Sequence, residues 1–118
     1  MKRDMSLIRE ILLVCEQAHG TIDITDMGTT QEDKDLVAYH TELLIDAGYI
    51  IGKVTKGSSG YAVRAYIERM TWQGTELLEK MKNETVFKSA LKKLLTSCGV
   101  VTIGMLEKAA EQELGKLL

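Results

Sequence analysis

The stretch YHTELLIDAGYI, Tyr39 to Ile50, leads into GKVTKGSSGYAVRAYI, Gly52 to Ile67. The first part has helical spacing and stops at Gly48, a position that wants a left-handed residue, where glycine alone carries no Cβ penalty. The second part alternates on either side of KGSSG, Lys56 to Gly60, which reads as a hairpin tip. A helix that closes on glycine and passes at once into a strand, a short Gly/Ser tip and a second strand is the layout of a winged-helix domain's third helix and wing. The expected fold class is therefore α+β, a winged helix (winged helix-turn-helix-like) with a two-stranded wing and extra C-terminal helices. That architecture serves DNA-binding regulators and protein-docking modules alike, so it assigns no function by itself.

Upstream, Met5, Ile8, Ile11, Leu12, Cys15 and Ala18 recur at spacings of three and four from Arg3 to His19, which predicts an amphipathic helix ended by Gly20. TIDI, Thr21 to Ile24, alternates like a short strand, and DMGTTQ has the composition of a loop. The next helix starts near Thr30 or Gln31. Thr30 suits the N-cap, and Glu32, Asp33 and Asp35 suit the positive end of the helix dipole. Its expected buried stripe is Leu36, His40, Leu43, Leu44 and Ala47.

Downstream, strands are expected at Tyr49 to Thr55 and Tyr61 to Met70. The second should turn Tyr61, Val63, Ala65 and Ile67 to one face and Arg64, Tyr66 and Glu68 to the other. Thr71 can cap a helix running to about Lys82, which the NET sequence breaks. Val86, Phe87, Ala90, Leu91, Leu94 and Leu95 mark the buried side of the following helix, and Ser97, Cys98 and Gly99 break it again. A last helix from near Thr102 carries the stripe Ile103, Leu106, Ala110, Leu114 and Leu117. That stripe packs either on the domain's own first helix or in a homodimer interface; spacing leaves both open. The chain has no proline, so Gly, Asn or tertiary packing must end every helix. The organisation read from the sequence is a single domain over 1–118, with a winged-helix core at 1–70, its wing hairpin near 49–70, and a C-terminal helical extension at 71–118.

A domain of 118 residues buries roughly two-thirds of the surface its unfolded chain exposes, enough to fold without staples. The hydrophobic fraction of 45% and charged fraction of 27% are those of an ordinary globular protein and argue against disorder. The apolar run Ile11 to Cys15 falls far short of the ~20 residues of a membrane span, so no membrane association and a cytoplasmic location are expected. Cys15 and Cys98 read as reduced small hydrophobes in apolar helical surroundings, with a single disulfide left open by sequence.

No catalytic constellation stands out, and the chain is expected to be no enzyme and to need no cofactor or metal. Cys15 and His19, four apart, could place two metal ligands on one helical face, but no nearby pair completes a tetrahedral site. His19 is better placed to bond free carbonyls at its helix end. His40 shares the stripe of Leu36, Leu43 and Leu44 and reads as a partly buried, hydrogen-bonded histidine. GKVTKGSSG is glycine-rich but lies inside a hairpin, whereas a phosphate cradle must open a helix.

Charge separates the surfaces more sharply than the net −2 suggests. From Gln31 to Ala47, Glu32, Asp33, Asp35, Glu42 and Asp46 stand against Lys34, a formal −4, which is a poor surface for a groove lined by phosphates. Glu32, Asp33, Asp35 and Glu42 are candidate contacts to a basic partner. In the hairpin, Lys53, Lys56, Arg64 and Arg69 against Glu68 give +3. With Ser58 and Ser59 at the tip, these four cations are candidate contacts to nucleic acid or an acidic partner. Four phosphate contacts would give a log-log salt slope of roughly −3.6.

Three pieces, MKRDMSLIREIL, YHTELLIDAGYI and MTWQGTELLEKMKNETVF, together resemble a family of small uncharacterised proteins of phages, prophages and bacterial genomes, classed as a domain of unknown function. The resemblance spans most of the chain; it implies a winged-helix fold and brings no activity with it. Family members typically have a His after the Trp-x-Gly and an aromatic two residues further on, where this chain has Thr75 and Leu77. The expectation is a small non-catalytic winged-helix protein of phage or mobile-element type that binds another protein, as a regulatory or host-interaction module. A double-stranded DNA-binding transcriptional regulator using the basic wing is the alternative reading.

Overall fold

In the computed structural model, which describes residues 2–117, Asp4 opens helix α1, Met5–Gln17, by accepting the free Ser6 and Leu7 amides on its carboxylate. Met5, Ile8, Ile11 and Leu12 are buried along one side. The helix ends sooner than its periodicity suggests. Ala18 is already extended, so exposed His19 lies beyond the last turn and neither terminates the helix nor shares a helical face with Cys15. Strand β1 is reduced to Ile22–Asp23, and the segment expected as plain loop contains a 3-10 turn, η1, at Thr25–Met27.

Helix α2, Gln31–Asp46, begins with a reciprocal cap: the Thr30 hydroxyl accepts the Asp33 amide at 3.1 Å, and the Asp33 carboxylate accepts the Thr30 amide. Its buried side is rotated from the expected stripe. Val37, Ala38, His40, Thr41 and Leu44 are buried, Leu36 and Leu43 only partly so, and Ala47 is exposed. Thr41 is tolerated there because its hydroxyl donates to the Val37 carbonyl at 2.8 Å, so the core receives only its methyl group as an unpaired surface.

The end of α2 is a Schellman motif. Tyr49 N–H donates to Leu44 O at 2.9 Å and Gly48 N–H to Ile45 O at 3.0 Å, with Gly48 at φ +81°. Strand β2, Ile50–Lys56, follows directly, and β3, Ala62–Met70, returns antiparallel to it. The sheet is antiparallel in the order β1-β3-β2. Ile50, Ala65 and Ile67 are buried, with Ile22 and Gly52 opposite Ile67 and Val54 opposite Ala65; Lys53 and Asp23 flank Tyr66 on the alternate register. Register shifts beside Ile51/Gly52 and Thr55/Lys56 insert Glu68 and Val63 as extra β3 residues. The second shift takes Tyr61 out of phase: it precedes the strand and is 59% exposed, not on the inner face with Ala65 and Ile67. The side chains of Asp26, Ala62 and Val63, and with them the expected inward placement of Val63, lie outside the described residues.

Helix α3, Trp72–Met81, starts from a knot with the α2–β2 junction. The Thr71 hydroxyl donates to Gly48 O at 2.6 Å and accepts the Gly74 amide at 3.1 Å, while Thr71 N–H donates to Tyr49 O at 3.0 Å. A Cβ on Gly74 would stand 2.0 Å from Tyr49 O, so only glycine fits. AGYI, where α2 passes into β2, and TWQG, where α3 begins, are thus one piece of packing.

The chain divides into two compact units between Thr75 and Glu76. In the second, α4, Glu84–Ser97, is capped by Asn83, which accepts the Val86 amide at 3.0 Å, and closes at Gly99, φ +71°. Helix α5, Ile103–Leu117, packs on α4. Of its stripe, Leu106 and Ala110 are buried, Ile103 and Leu114 are partly covered and Leu117 is exposed. In α4, Val86, Phe87 and Ala90 are buried, but Leu95, expected on the same side, is exposed. Lys80 reaches Glu107 at 2.8 Å and Glu111 at 2.9 Å, and these hydrogen bonds hold its ammonium above the ordinary lysine range. Among the described residues no helix is long and apolar enough to cross a membrane.

Candidate functional site

The hairpin and α2, read from sequence as two oppositely charged surfaces, meet in the structure. Lys56 Nζ lies 2.9 Å from Glu42 Oε1, so one of the four wing cations turns to the helix. Arg64 stacks on the Tyr66 ring, 5.6 Å from its centroid, and donates to its hydroxyl. Asp23, beside Tyr66 in the register, has its carboxyl held below the usual range, first by the Thr25 hydroxyl and amide and then by the charge of Arg64. Arg69 donates to its neighbour's carbonyl, Met70 O, at 3.0 Å, at the far end of β3. Lys53, Ser58 and Ser59 are exposed. The six residues read from the sequence as one nucleic-acid surface are therefore divided among the α2 side, the β3 register and the tip.

The acidic set has structural duties as well. Asp33 closes the α2 cap, and the Thr30 amide and hydroxyl, followed by Thr29, hold its carboxyl below the ordinary range. Asp35 accepts from the Gln31 side chain at 3.0 Å, Glu42 holds Lys56, and Glu32 and Asp46 are exposed. With Glu42 cancelled by Lys56, the helix still carries a formal −3.

Between α2 and the hairpin tip lies a half-open slot of about 250 Å³. Asp35, Ala38, Tyr39 and Glu42 line it from the helix, Lys56 and Tyr61 from the hairpin. The Tyr39 ring stands edge-on to the buried His40 ring, centroids 5.4 Å apart and planes at 87°. Tyr61 is brought across by the tip, where Gly57 N–H donates to Tyr61 O at 2.9 Å and Gly60 adopts φ +85°. Glu42 and Lys56 also border a shallower groove of about 370 Å³, continued by Ile45 and Asp46 of α2 and by Gly52, Lys53 and Val54 of β2. Sequence reading missed the slot because strict alternation sends Tyr61 to the core. The only signal was the helical spacing of Asp35, Tyr39 and Glu42.

His40 is wholly buried and its ring is bonded at both nitrogens. Nε2 accepts the Asp4 amide at 2.7 Å and Nδ1 donates to Leu36 O at 2.7 Å. A backbone amide can only donate and a carbonyl only accept, so the pair fixes the Nδ1–H tautomer and ties the start of α1 to α2. Cys15 and Cys98 are free thiols; burial pushes the Cys15 thiol up to about 11. Among the described residues no group of three or more His, Cys, Asp and Glu side chains could hold a metal. Trp72, first residue of α3, is 75% exposed. Sequence reading gave it no surface role.

A family model described as "Hypothetical protein (DUF2513)" matches residues 2–100. An uncharacterized protein of Haemophilus influenzae is 32% identical over 119 residues, covering 100% of this chain and 99% of its own length. No solved structure matches.

Proposed function

We propose a function from this chain's own surface, because the family to which it belongs, that of the hypothetical proteins DUF2513, is described without an activity. The proposal is a non-catalytic winged-helix module that docks a basic segment of another protein on α2. The succession α1, β1, η1, α2, β2, β3 with sheet order β1-β3-β2 supports the winged-helix assignment, with η1 in place of a full second helix. In that reading α2 is the helix that a DNA-binding relative would place in the major groove.

The observation that carries the docking reading is the Lys56–Glu42 pair at 2.9 Å. It turns one wing cation toward the helix and leaves α2 with a formal −3 at the position where DNA would lie. With Lys56 engaged, three wing cations give a DNA salt slope of at most about −2.7, the signature of weak, sequence-blind contact. A negative helix beside a mixed hairpin suits electrostatic steering of a positively charged protein.

The test is affinity capture from a bacterial lysate by the full chain and by the double variant Glu32→Lys/Asp35→Lys, with captured proteins compared by mass spectrometry. Selective, salt-sensitive loss of a basic protein in the double variant is expected. Capture identical in the two would remove α2 as the docking face.

A further inference from the structure

We propose that the slot between α2 and the hairpin tip receives one arginine or lysine side chain of the docked protein, held between the Tyr39 and Tyr61 rings with Asp35 as its charge partner. This rests on the docking reading above and narrows it to the side-chain chemistry that is read.

The size of the slot is the first reason. At about 250 Å³ it falls below the about 300–1,000 Å³ typical of small-molecule pockets, so it suits a single long side chain. The rings are the second. A cation within about 6 Å of an aromatic centroid is attracted to the ring face, and Tyr61, 59% exposed, has surface left to cover. Tyr39 is steadied from behind by the His40 ring, which both its nitrogen bonds hold in place, so one wall is organised before any ligand arrives.

Charge decides among the possible occupants. The lining carries two carboxylates, Asp35 and Glu42, against the single ammonium of Lys56. An anion would have to draw Lys56 from Glu42, 2.9 Å away, and would then face both carboxylates. An apolar side chain would cover these carboxylates without supplying a donor. A guanidinium or ammonium meets both rings and adds a donor to the Asp35 side of the slot, while the Lys56–Glu42 pair stays intact on the other.

The experiment is a ¹⁵N–¹H NMR titration of the full chain with three acetylated, amidated pentapeptides, Ala-Ala-X-Ala-Ala, in which X is arginine, norleucine or glutamate. The arginine peptide should shift the Tyr39, Gly60 and Tyr61 amides saturably, with a dissociation constant on the order of 1 mM, as expected for one desolvated cation. The norleucine peptide, and the arginine peptide on Tyr61→Ala or Asp35→Asn, should bind at least about five-fold more weakly. Equal shifts from norleucine or glutamate, or none from arginine at concentrations that should saturate, would overturn the proposal. Failure here with loss of capture in the Glu32→Lys/Asp35→Lys variant would leave the docking helix standing without the slot. Arginine binding with no α2-dependent capture would do the reverse.

Discussion

Replacing Gly74 by alanine should destabilise the first unit, although helix propensity alone favours the change by about 1 kcal/mol. Gly74 is the third residue of α3, and its added methyl group would sit 2.0 Å from Tyr49 O and 2.9 Å from Tyr49 C. Normal carbon contacts begin near ~3.5 Å, so the backbone must part by more than an ångström. Tyr49 O cannot yield alone, because it accepts the Thr71 amide. Parting α3 from the Schellman turn also strains the Thr71 hydroxyl's bonds to Gly48 O and Gly74 N. Overpacking costs about 1–3 kcal/mol and each weakened hydrogen bond about 0.5–1.5 kcal/mol. With those two bonds weakened and the propensity gain subtracted, a net loss of about 1–5 kcal/mol remains. With a urea m-value of ~1.3 kcal/mol/M, that lowers the midpoint by about 0.8–4 M when followed by far-UV circular dichroism. Gly115→Ala in α5, where a Cβ meets nothing within 4 Å, is the control and should leave the midpoint unchanged or raise it. A Gly74→Ala midpoint equal to or above that of the parent would refute the close approach of α3 to Tyr49.

Further outcomes follow from the same geometry. His40→Leu should cost about 1–3 kcal/mol, because the Asp4 amide loses its acceptor while the Leu36 carbonyl keeps only its helical bond, and hydrogen exchange should quicken first at the start of α1; unchanged protection there would contradict the tie. Trp72→Ala should alter stability by less than about 0.5 kcal/mol in urea, since the ring is 75% exposed, and a larger loss would mean that it is packed. Cys15, with its thiol pushed up to about 11, should alkylate far more slowly than exposed Cys98 at pH 8, as counted by mass spectrometry. The folded state holds the Cys15 proton more tightly than the unfolded chain, so its contribution to stability is complete below the unfolded thiol's range and is lost as pH rises towards 11. A Cys15→Ser variant should lack this alkaline component.

Much of the fold was legible because local chemistry and tertiary structure agree there. Thr30, Gly48, Thr71, Asn83 and Gly99 each act where capping and turn rules place them. The α2 stripe misled because Thr41 hides its hydroxyl in a helical carbonyl, making a polar residue a core residue. Tyr61 misled because a bulge in β3 breaks the period of two, and alternation carries no mark of a bulge. The charge of each surface could be counted from sequence, but the Lys56–Glu42 pair, which joins residues 14 apart, needed the hairpin laid against the helix. The tyrosine slot was illegible for both reasons.

The claim that α2 and not the wing does the recognition is tested most directly by fluorescence anisotropy of a mixed-sequence DNA duplex titrated with the full chain at physiological salt, with Lys56→Glu/Arg64→Glu alongside. Binding no tighter than the ~10⁻⁴ M of non-specific contact, and little changed in the variant, is the predicted result. Micromolar or tighter binding that the double variant abolishes would contradict the account and return the protein to the DNA-binding reading.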